Sequence, residues 1–225
     1  MQPIAPRATL GWMQNPVRGL LHGGSALLSI VGTAALWSRA DDDLFQRSVL
    51  LVFGLSLICL YTVSSAYHSV PWGRVWKSRM QRLDHAMIYV LIAGTYTPIA
   101  AIALDGWLRS AALGTIWCIT AVGVAQKLWW PRLGHRYSVT LQVAQGWLAV
   151  LLLTPLSERL GAPAVGLLLL GGLSYTVGMI AFATQRPRLW PRVFSYHEFF
   201  HVCVVGGSAA HYTMTFVYVA RFGTG

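Results

Sequence analysis

The segment HEFFHVCVVGGSAAHYTMTFVYVA, residues 197–220, decides the fold. Its first five letters spell H-E-x-x-H, the pattern of a zinc-protease helix. The nineteen residues that follow carry no charged side chain, and the whole stretch is long enough to cross about 30 Å of hydrocarbon. The segment therefore reads as a membrane span that opens on a histidine, a glutamate and a second histidine.

The rest of the chain agrees. Of 225 residues, 55% are hydrophobic and only 11% charged, and the apolar residues fall in long runs, not in amphipathic stripes. Seven spans are expected, near residues 19–38, 48–68, 84–104, 110–129, 137–156, 162–183 and 197–220. They predict an all-α membrane protein, a bundle of seven transmembrane helices in a single domain covering 1–225. Lipid offers the backbone no partners, and the alternation and turn spacing of a barrel are missing. Pro3, Pro6 and Pro16 break up the N-terminal segment, so it makes a poor signal peptide and the first span is expected to stay in the membrane. Cys59, Cys118 and Cys203 each fall within a span and read as buried thiols with no disulfide or C-x-x-C signal.

Charge placement predicts the orientation. With the N-terminus in the cytoplasm, the inner segments collect Arg7, Arg18, Arg74, Lys77, Arg79, Arg82, Lys127, Arg132, Arg136, Arg186, Arg188 and Arg192. The outer side keeps Arg39, Arg47, Arg109, Arg159 and Arg221 against Asp41, Asp42, Asp43, Asp105 and Glu158, and is nearly neutral. The C-terminus then lies outside. A formal net charge of +10 spread over loops between spans is suited to anionic inner-leaflet headgroups, not to nucleic acid. Most of the 10 tryptophans, among them Trp12, Trp37, Trp72, Trp76, Trp107, Trp129, Trp130 and Trp190, sit at span ends, as rings at a headgroup interface do. Small residues in the sixth span (Gly171, Gly172, Ser174, Gly178) and the seventh (Gly206, Gly207, Ser208, Ala210) predict close packing there. Pro98 predicts a kink in the third span.

Two acids remain, Asp84 and Glu198, each expected in the first turn of a span that starts on the cytoplasmic side. Acids inside a membrane are functional candidates, although a helix N-terminus also stabilises a carboxylate through its dipole. His197 and His201, four residues apart, share one helix face and are spaced to chelate a metal ion. A third imidazole from a neighbouring helix would complete the tripod of a catalytic zinc site. His22, His68 and His85 all lie near the same membrane boundary, and spacing does not choose among them. His211 lies about 15 Å further along the last helix at 1.5 Å per residue, too far to join, and His135 falls in a loop.

The motifs SSAYH (64–68), RLDHAMIYVLIAGTYTPIA (82–100) and HEFFHVCVVGGSAAHY (197–212), in that order, closely resemble the hemolysin III branch of the progestin and adipoQ receptor family. The resemblance covers nearly the whole chain. It implies seven helices and an intramembrane Zn2+ near the cytoplasmic face, held by His68, His197 and His201. It places Asp84 beside the metal and Ser64 one turn before His68, and it selects His68 over His22 and His85. A distant relation to alkaline ceramidases implies hydrolysis of a lipid amide within the bundle. Asp84 would take a proton from water, and Ser64 would hydrogen-bond that water or the developing oxyanion. Glu198 is left a supporting role, orienting a histidine or meeting a basic loop. A bacterial inner membrane is the expected location, and a homo-oligomer is compatible with the sequence. Two other readings stay open: a cytolysin or pore former, and a sensor in which the zinc is structural.

Overall fold

The structure, a computed structural model, describes Leu10 and residues 13–40, 43–130, 135–190 and 193–222, with the backbone alone for 135 and 136. Arg7, Trp12, Asp41, Asp42, Arg132 and Arg192, like Pro3 and Pro6, lie outside the described residues. The helices are α1 (Pro16–Arg39), α2 (Leu44–Ser69), α3 (Arg74–Ala103), α4 (Gly106–Trp129), α5 (His135–Trp147), α6 (Leu153–Leu160), α7 (Ala162–Thr184) and α8 (Tyr196–Met214). A 3₁₀ segment, Leu148–Leu152, joins α5 to α6 in one span, and a π-helical turn, Thr215–Val219, extends α8. Among the described residues seven helical segments are thus long and apolar enough to cross a membrane, as the hydropathy requires. Among the described residues there is no β-strand beyond two isolated bridges.

The 3₁₀ segment has a cause in Pro155, which lacks an N–H and whose ring would crowd the Leu151 carbonyl four residues back in a regular helix. By contrast α3 runs unbroken through Pro98. That helix is the axis of the bundle. Its most apolar stretch is 72% buried, against 17–22% for the fourth, fifth and sixth spans. Small residues let its neighbours approach: Ala86, Ala93, Gly94, Ala100 and Ala103 are all buried. Its polar side chains are satisfied inside the bundle. Thr95 and Thr97 donate to the carbonyls of Leu91 (2.9 Å) and Ala93 (2.7 Å), and the Tyr89 and Tyr96 hydroxyls donate to the carbonyls of Ser138 (2.9 Å) and Gly146 (2.8 Å) on α5.

The small residues of the last two spans act as expected at three points. Added Cβ atoms would strike the His211 ring at Gly171, Cys203 at Gly178 and the Tyr175 ring at Gly207. The cysteines depart from expectation. Cys59 and Cys118 are exposed on the outer face of the bundle and Cys203 is half-buried, because membership of a span does not fix which face a residue presents.

Candidate metal centre

The last turn of α2 carries Ser64 and His68, both 3% exposed. The chain leading into α1 fixes this end. The backbone N–H groups of Asn15 and Gln14 donate to the carbonyls of His68 (3.0 Å) and Ser69 (3.3 Å), which the end of α2 would otherwise leave unpaired. Ser65 Oγ donates to the Gly19 carbonyl at 2.8 Å and ties α1 against the same turn.

Facing it is the first turn of α8, with Ser195 as N-cap and Glu198 reaching back. Glu198 Oε2 accepts the Ser195 backbone N–H at 2.9 Å, and its Oε1 accepts Arg18 Nε of α1 at 2.7 Å in a buried ion pair. Both carboxylate oxygens are thus engaged away from the histidines. The H-E-x-x-H glutamate is here a latch between α1 and α8, stabilised further by the helix dipole. Its partner is a helical arginine, not a basic loop.

His68, His197 and His201 come together. Their ring centroids are 4.8–5.3 Å apart, and one ring nitrogen of each lies within 4.8 Å of the others. Tetrahedral zinc with Zn–N bonds of about 2.0–2.1 Å sets its ligand atoms about 3.4 Å apart. Small side-chain rotations close that difference, so three imidazoles from two helices fit such an ion. His201 is 2% exposed and its Nδ1 has no hydrogen-bond partner among the described residues. A buried orphan nitrogen is costly unless something else engages the ring.

His22 of α1 lies closer still, its ring 4.0 Å from that of His201 and tilted by 32°. Both its nitrogens lack hydrogen-bond partners among the described residues, yet it falls outside the set of atoms able to share one ion. His85 lines the adjacent cavity without joining that set. His211 is distant, its Nε2 donating to the Leu168 carbonyl at 3.1 Å. The His135 backbone begins α5 instead of lying in a loop.

Asp84 stands beside the tripod, lining the same cavity as Ser64, His197 and His201. It is not in the first turn of its helix. Because α3 starts at Arg74, Asp84 is ten residues in, about 15 Å along the axis, and the helix N-terminus is too far away to account for it. Two basic residues counted with the inner charges prove to be buried. Arg18, expected just before the first span, lies on α1 at 4% exposure, and Lys127, expected at the inner end of the fourth span, lies on α4 at 8%. The buried partner of Glu198 was missed. The signal that could have found it is the four-residue spacing of Arg18 and His22 on one face of α1.

A cavity of about 60 Å³ opens at the site, walled by Ser64, Asp84, Lys127, His197 and His201 among others. A second, of about 140 Å³, continues it into the bundle. The two share Leu60, Ile88, Gln142, Met179, Phe200 and Val204. The larger cavity is almost wholly apolar, and Trp147 Nε1 donates to Thr176 Oγ1 (3.2 Å) across the gap between α5 and α7 on its wall. Chemically, the arrangement joins a ligand set for a divalent ion, an adjacent carboxylate and a slot for hydrocarbon.

Comparison with known proteins gives a consistent match. Residues 10–212 fit the family described as "Haemolysin-III related". The chain is 35% identical over 202 residues to Hemolysin-3 of Bacillus cereus, covering 89% of each chain. It is 31% identical over 204 residues to the Hemolysin-3 homolog of Bacillus subtilis (strain 168), covering 90% of this chain and 92% of that one. At 26% over 207 residues it also matches the human monocyte to macrophage differentiation factor, covering 89% and 82% of the two chains.

Proposed function

The chain belongs to the haemolysin III-related family, and from that premise we propose that it is a zinc-dependent integral membrane hydrolase that cleaves the amide bond of a lipid, in the manner of a ceramidase. The observation that carries this reading is the junction of a three-histidine cluster and Asp84 with an apolar cavity. Lipid tails fill such a cavity favourably, and the scissile carbonyl then lies at its polar end.

His68, His197 and His201 would hold the ion, which supplies Lewis acidity and lowers the pKa of coordinated water to about 7. Asp84 takes the proton of the attacking water and returns it to the leaving amine. Ser64, which lines the same cavity as Asp84, would hydrogen-bond the attacking water or the developing oxyanion. Burial beneath Phe182 and Phe200, whose rings pack against His197 and His201, keeps bulk water from the reacting carbonyl. In this proposal the end of the bundle bearing the site and the basic start of α3 faces the cytoplasm of a bacterial inner membrane.

The test is amide hydrolysis by purified protein in lipid nanodiscs, with zinc content measured on the same sample. Near-stoichiometric zinc together with hydrolysis that requires Asp84 supports the reading, and substoichiometric zinc or hydrolysis unchanged in Asp84→Asn contradicts it. One observation favours a second reading: the relative in Bacillus cereus is named a hemolysin. Dye release from liposomes containing pure protein, unchanged when zinc is removed, would support a cytolysin. The apolar lining of the larger cavity argues against a water-filled pore.

A further inference from the structure

Lys127 has no part in the chemistry above. It lies two residues from the end of α4, where a lysine's long stem ordinarily carries the ammonium out to the headgroups. Here the neighbouring Trp129 and Trp130 point outward, at 68% and 61% exposure, while Lys127 turns inward and lines the cavity at the metal centre. Among the described residues no acid pairs with it. Asp105 is taken by Arg109 and Arg159, and Glu198 by Arg18, which leaves Asp84, beside Ser64, as the one carboxylate among the described residues that line the cavity.

With a divalent ion bound, that ion and the Lys127 ammonium would share a single carboxylate in a small cavity. Uncompensated charge in such surroundings is expensive, and the group that occupies the cavity is what can neutralise it. Since the polar cavity continues into an apolar one, a molecule that satisfies both ends is an amphiphile with a negative group close to its scissile amide.

We propose that Lys127 selects an anionic lipid, one whose headgroup carries a phosphate or a carboxylate beside the amide. The proposal rests on the hydrolase reading for the amide, but its core is a binding preference measurable without turnover.

Equilibrium binding of two radiolabelled probes to the full-length protein in nonionic detergent tests it: N-lauroyl phosphoethanolamine and its unphosphorylated counterpart, N-lauroyl ethanolamine, each with and without zinc. Wild-type protein is expected to bind the phosphorylated probe roughly tenfold more tightly or better, as a charge-assisted hydrogen bond provides. Lys127→Met is expected to bring that ratio to about one with the neutral probe's affinity unchanged, and Lys127→Arg to keep the preference. Equal affinities in wild type, a preference that survives in Lys127→Met, loss of both probes in that variant, or no binding of either probe overturns the proposal. Full displacement by millimolar inorganic phosphate would reassign the site to the free anion and also overturn it. A preference that persists while neither amide is hydrolysed sinks the hydrolase reading alone, and hydrolysis of the neutral amide with equal affinities sinks this proposal alone.

Discussion

His201 and His211 sit ten residues apart on one helix, both buried, in opposite company. His211 donates Nε2 to the Leu168 carbonyl, packs its ring against Gly171 and lies tilted by 60° near Tyr175, 5.5 Å between centroids. Its environment is that of a structural histidine between α7 and α8. His201 faces three other imidazoles, His22, His68 and His197, whereas Nδ1 of both His201 and His211 lacks a hydrogen-bond partner among the described residues, so the orphan nitrogen alone does not separate them. The difference teaches that burial of a histidine is no sign of a ligand. What marks the candidate metal centre is several rings gathered so that one nitrogen of each lies within reach of a single ion.

The contrast can be broken at the metal first. His201→Ala should lower zinc affinity by more than about 100-fold, beyond what outer-shell substitutions cost, whereas His211→Ala should leave metal content intact by elemental analysis. Equal losses in the two variants would erase the distinction. Next in size, Asp84→Asn should retain zinc while amide hydrolysis falls by about 10²–10⁴-fold, the usual worth of a general base.

Glu198 separates the latch from the zinc-protease reading. In Glu198→Ala the buried Arg18 loses its counter-ion, and stability should drop by about 3–5 kcal/mol in thermal unfolding of detergent-solubilised protein. Arg18→Met with Glu198→Leu should cost less than the single change. A general-base glutamate would show the reverse, normal stability with lost activity. The smallest effect is expected at the other end of α8. Gly171→Ala should cost about 1–3 kcal/mol by driving a methyl into the His211 ring, with zinc binding unaltered.

Much of this was legible in the residues. Seven apolar runs gave seven membrane-length segments, and the His197/His201 spacing gave two of the three clustered histidines, because both signals are local in the chain. His68 had to be chosen among three candidates, since spacing says nothing about which helix lies opposite. The start of α3 was misplaced by ten residues, for Arg74, Lys77, Arg79 and Arg82 look like a loop by hydropathy although the helix runs through them. Arg18 fell one residue before the expected first span and Lys127 at the inner end of the fourth, and the inward facing of each is a property of the folded bundle. The break in the fifth span had a local signal in Pro155, and the outward facing of Cys59 and Cys118 had none.

The most direct test of the central claim is X-ray absorption at the zinc edge of the purified protein, with anomalous scattering to position the ion. The account predicts near-stoichiometric zinc with three imidazole nitrogens at about 2.0–2.1 Å, assigned to His68, His197 and His201. An ion placed elsewhere, or histidine rings that take up no metal when zinc is plentiful, would contradict it.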